Sequence, residues 1–191
     1  MQTPILIKEH VSITQFINFW SSYYIYAKIE NYYIKNINKK VFDSETLNAL
    51  FMWKNGSVLS KKKKDSLNKN IIRKIEIINS LKNKFDFDLF KKEFKNVSVI
   101  WKIFLLNLIK PKTYPIFDQH VFRAMKFIKF SKIEEVPNND REKEEVYFDE
   151  YIDFFNKIKA ELPRDFDNKK IDEALWSFGK FLKSNYKTIL C

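Results

Sequence analysis

The stretch Tyr114-Pro-Ile-Phe-Asp-Gln-His-Val-Phe-Arg123, YPIFDQHVFR, decides the fold class. Pro115 pushes Tyr114 out of the helical region, so a preceding helix must end before it. Asp118 then stands between Phe117 and a new apolar period, where a helix N-cap belongs. The spacing predicts a helix over 118–130. Upstream, residues 97–109 are nearly all apolar and read as a buried helix, broken by Lys110-Pro-Lys-Thr-Tyr-Pro115. From spacing alone, Asp118 is either a helix cap or an acid that works on a ligand.

Working outward, the chain has only two glycines and five prolines in 191 residues. So few breakers fit long helices and disfavour an all-β fold rich in tight turns. Ser12 and Gln15 form a capping box ahead of Phe16, Phe19, Trp20 and Tyr23. A second helix starts at Asp43 or Ser44 and stops at Asn55-Gly56. A third carries Leu67, Ile71, Ile75, Ile78 and Leu81, with Lys61 to Lys64 in its first turn. A short helix spans 85–94. After the loop at Val136-Pro137, one helix carries Tyr147, Tyr151, Phe154 and Phe155. A last one carries Ile171, Ala174, Leu175, Phe178 and Phe181, with Gly179 inside it. That glycine marks either a close backbone approach or a tolerated defect.

These periods predict an all-α fold of about eight helices. The length suits a single domain, 1–191, with subdomains at 1–95 and 96–191. With 45% hydrophobic and 31% charged residues, the composition is that of a globular chain. The only cysteine, Cys191, excludes a disulfide framework and a cysteine-rich zinc or iron–sulfur site, so neither cofactor nor metal is expected. No secretory signal or bilayer-spanning run is visible, which makes the expected location cytoplasmic or nucleoid-associated.

Charge carries the functional signal. Thirty-five Lys and Arg against 24 Asp and Glu give a net +11, which favours a polyanionic partner or serves solubility. The distribution is uneven. Residues 95–132 hold eight basic side chains and one acid, Asp118, whereas residues 133–173 hold fourteen acids and seven basic groups. The acidic segment 133–173 could meet a protein partner, pair in a homodimer, or neutralise the basic segment in cis.

Asp118-Gln-His-Val-Phe-Arg123, following an apolar helix and a short turn, resembles the helix-hairpin-helix DNA glycosylases of the endonuclease III, adenine glycosylase and 8-oxoguanine glycosylase branches. The resemblance spans about 96–130. It implies two helical subdomains around a cleft, DNA as the partner, and Asp118 as the catalytic carboxylate on the cleft floor. It also implies DNA contacts from Lys95, Asn96, Ser98, Lys102, Lys112, His120 and Arg123. The chain departs from the family pattern in three ways. The turn 95–98 has no glycine, Pro-Ile-Phe-Asp118 is one residue longer than usual, and Ser98 or Val99 stands where bifunctional members carry a Schiff-base lysine. Base excision without a lyase step is therefore the expected activity, and DNA binding or protein interaction without catalysis is the alternative. A base under excision must leave the stack and lie between flat side chains, for which Trp20, Tyr23, Trp53 and Trp101 are candidates.

Overall fold

The computed structural model describes residues 11–25 and 29–184, and among them every regular element is helical. The first helix, α1 (Ile13–Ser22), opens with the expected capping box. The Ser12 hydroxyl accepts from the Gln15 N–H, and the Gln15 side chain accepts from the Ser12 N–H. The middle segment, from Ile25 to Tyr114, forms one compact unit; the described residues before and after it form another. This division differs from the expected one at 95/96. The helix that begins at residue 99 shares its core with the middle segment, and α1 packs on the last helix of the chain.

In the middle unit, α2 (Glu30–Ile34) leads to α3 (Ser44–Asn55), capped by Asp43 through the Thr46 N–H and ended by Gly56 at φ 74. Next come α4 (Lys61–Asn70), a 3-10 turn at Ile72–Lys74, and α5 (Ile75–Asn83). The helix expected to run on from Leu67 to Leu81 is thus broken at Ile71, whose ψ of −58 accompanies a φ of −126. Its apolar residues keep helical spacing across the break, so periodicity alone does not reveal it. Helix α6 (Phe87–Glu93) is joined by residues 94–98 to α7 (Val99–Ile109), whose length is almost wholly buried. The rings of Phe51, Trp53 and Phe104 form the core, with Tyr33 lying 4.3 Å from Trp53.

In the other unit, α8 (Gln119–Phe130) follows the extended residues 115–118. A continuous helical run then comprises α9 (Asp140–Glu145), one π-wound turn at Val146–Tyr151 and α10 (Ile152–Ala160). The last helix is α11 (Asn168–Leu182). Helix α11 packs on both α1 and α8. At the crossing with α8, Gly179 leaves room for the first turn of that helix, as a close backbone approach requires.

Candidate functional site

The start of α8 is built from the residues before it. Pro115 accepts a hydrogen bond from the Tyr147 hydroxyl at 3.0 Å. Phe117 is fully buried against Phe122, Tyr147 and Tyr151. With its neighbours fixed, Asp118 takes extended backbone, and one carboxylate oxygen, Oδ1, accepts from the N–H groups of His120 (2.8 Å) and Val121 (3.2 Å). Asp118 is therefore a helix cap, and its side chain is half-buried rather than sealed.

Next to this cap, His120 packs on a residue of α11, which in turn meets Tyr24, just past α1. The His120 ring lies 5.1 Å from Trp176, and Trp176 lies 5.4 Å edge-on to Tyr24. Lys180 sits 4.8 Å over Trp176, and Lys169 sits 4.2 Å over Tyr24 while donating to its hydroxyl at 3.1 Å. Lys169 also pairs with Glu173 at 3.2 Å and lies 3.9 Å from Asp172. Asp172 is a second carboxylate in this region, 5% exposed. Tyr151 is fully buried, and its hydroxyl has no hydrogen-bond partner among the described residues. Burial, and then the charges of Asp172 and Asp118, hold that phenol far above its ordinary pKa. Burial also pushes the His120 imidazole below its ordinary value; Asp118 opposes this, and Arg123, Lys183 and Lys180 add to it. Together these groups offer an anionic centre, a cluster of aromatic rings set edge-to-face and, in Lys180, a flanking cation.

The residues singled out in the sequence fall into two groups. Asp118, His120 and Arg123 come together on α8. Arg123, however, is fully buried. It donates to the Gly179 carbonyl at 2.8 Å and to both Glu135 oxygens at 2.9 and 2.7 Å. All of these are protein groups, so Arg123 ties α8 to α11 and to the following loop. Lys95, Asn96, Ser98, Lys102 and Lys112 belong to the middle unit. Lys95, Asn96, Ser98 and Lys112 are exposed there, and Lys102 is half-buried on α7. Of the aromatic candidates, Trp53 is buried in the core and donates to Glu30 at 2.7 Å, and Trp101 packs on Phe51. Trp20 packs on Phe178 and Phe181, leaving Tyr23 exposed beside it. Trp176, which the sequence did not single out, is the ring beside His120, and Tyr24 packs on Trp176.

The charge asymmetry is partly neutralised in cis. Besides Arg123 with Glu135, Lys126 pairs with Glu150 at 2.8 Å, and Lys129 lies 3.7 Å from the same carboxylate. No helix among the described residues is long and apolar enough to cross a membrane, and no cluster of metal-ligating side chains occurs among them. The sequence matches no family model, and comparisons with curated proteins and with solved structures find no match.

Proposed function

We propose that this chain is a DNA-binding protein of glycosylase-like fold that excises bases without a lyase step, using Asp118. One observation carries this reading. A half-buried aspartate is held at the start of α8 by two backbone amides, beside His120, whose ring packs on Trp176, over which the Lys180 ammonium sits. Cleavage of a glycosidic bond builds positive charge on the sugar. A fixed carboxylate stabilises that charge or accepts the proton of the attacking water. A ring of this cluster supplies a face for an extruded base, and Lys180 supplies attraction for phosphates.

The alternative is DNA binding or protein interaction without catalysis. It is favoured by the glycine-free connection at 94–98 and by the engagement of Arg123 with protein groups. The test pairs duplex binding over a salt series with base release from damaged and modified duplexes. Steeply salt-dependent binding, with release lost in Asp118→Asn while binding persists, supports the enzyme. Binding without release in the wild type leaves the non-catalytic DNA module. Absence of both removes DNA from the account.

A further inference from the structure

We propose that Lys82 and Lys110, in the middle unit, form a binding site for a phosphate-bearing anion. Both ammonium groups are pinned through main-chain oxygens. Lys82 Nζ donates to the Lys39 carbonyl at 3.0 Å and stands 3.4 Å from the centroid of the Phe42 ring. Lys110 Nζ donates to the Lys82 carbonyl at 3.1 Å. The ring beneath Lys82 is fixed. Phe42 is 1% exposed, and the Asn79 side-chain amide holds both its N–H, at 2.8 Å, and its carbonyl, at 2.9 Å.

Carbonyl dipoles and a ring face orient these cations without cancelling a full charge. Among the described residues, neither lysine has a carboxylate within ion-pair distance. The nearby acid, Asp43, is used otherwise. It caps α3 through the Thr46 N–H at 2.7 Å, and its charge acts on Lys39, whose ammonium donates to the Thr46 hydroxyl at 2.9 Å. The C-terminal carbonyls of α5 draw in one cation, and Lys110 answers them. Lys82 is bonded to Lys39 instead, so the helix end does not account for the second positive charge. Burial, and then the neighbouring Lys110 ammonium, bring the Lys82 amine down to about 8. The Lys110 charge thus acts on the Lys82 ammonium in the free protein, and a bound oxyanion would relieve that repulsion. Each ammonium has three N–H donors and spends one on a carbonyl, so donors remain for a tetrahedral ligand. Point-charge donors of this kind suit phosphate.

The test is a pH titration of the Lys82 amine in the full chain by NMR of 13C-methylated lysines, assigned with Lys82→Arg. In phosphate-free buffer the resonance should titrate near 8, and Lys110→Met should move it toward the ordinary lysine range. Inorganic phosphate, pyrophosphate and a short DNA duplex are then added separately, at ionic strength matched with chloride. A rise in the Lys82 value that is lost in Lys110→Met supports the site. If the duplex acts at far lower concentration than the small anions, the phosphates are those of a nucleic-acid backbone; if only the small anions act, the ligand is a free phosphate compound. No rise with any of the three, or an equal rise with chloride, overturns the site. Asp118→Asn should leave the response unchanged, so failure here and failure of the glycosylase reading are separate results.

Discussion

Gly179 lies directly against the backbone of His120. A Cβ placed on it would stand 1.9 Å from the His120 carbonyl oxygen and 2.5 Å from the carbonyl carbon. Both atoms belong to the first turn of α8, so neither can rotate away. Replacing an interior helical glycine with alanine ordinarily stabilises by about 1 kcal/mol. Gly179→Ala should reverse that sign and destabilise by roughly 1–3 kcal/mol, as overpacking does. Urea denaturation midpoints measure it. A variant as stable as the wild type would mean that α8 and α11 sit further apart.

Asp118 has a structural duty that can be separated from any chemistry. Asp118→Ala should cost about 0.5–2 kcal/mol through loss of the cap, whereas Asp118→Asn should cost little, because asparagine caps nearly as well. Thermal unfolding of the two variants checks this. Comparable losses in both would show that the negative charge itself stabilises the fold, and the Asn variant would then be a poorer probe of catalysis.

Tyr147 and Tyr151, four residues apart and equally buried, should respond oppositely to loss of their hydroxyls. Tyr147 donates to Pro115 at 3.0 Å, so Tyr147→Phe should cost about 1 kcal/mol. The Tyr151 hydroxyl has no partner, so Tyr151→Phe should be neutral or stabilising by up to about 1 kcal/mol. Equilibrium unfolding of both variants decides. A clear loss in Tyr151→Phe would point to a buried water bound to that oxygen.

Two groups should make stability sensitive to acid in different windows. Hydrogen bonds from Arg123 hold the Glu135 carboxyl below its ordinary 4.5. The folded state therefore takes up that proton less readily than the unfolded chain. The stability involved is fully present above 4.5 and is lost as pH falls through the lower folded value. Burial holds His120 below its ordinary 6.5, so its contribution is full above 6.5 and declines as pH drops beneath it. Asp43, also held low, adds to the lower window, so unfolding free energies measured from pH 3 to pH 8 should show a shallower lower slope in Glu135→Gln and should lose the upper slope in His120→Asn. A slope left unchanged by its own substitution would refute that assignment.

Local signals in the sequence carried the helices well, because a cap or a stop is written in adjacent residues. Ser12 with Gln15, Asp43, Gly56 and Asp118 all act at the helix ends their types suggest. The break at Ile71 and the π-wound turn at Val146–Tyr151 left no comparable mark, since the apolar period passes through both. The surroundings of Asp118 were the least legible. Asp172 and Trp176 lie beside the apolar period of the last helix, and only long-range packing of α11 on α8 brings Trp176 to His120. Arg123 shows the converse. The resemblance implied a DNA contact from Arg123, and in the structure its side chain is buried and engages Glu135, from the acidic stretch that follows.

The packing of α1 on α11 has a consequence for biosynthesis. Phe16 and Trp20 find their partner Phe178 only near the far end of the described chain. As the polypeptide leaves the ribosome, residues 25–114 can close on themselves, while α1 waits with its aromatic stripe uncovered until α11 has been translated. The terminal unit must therefore assemble last, and nascent chains stalled before residue 168 should be the ones that chaperones hold.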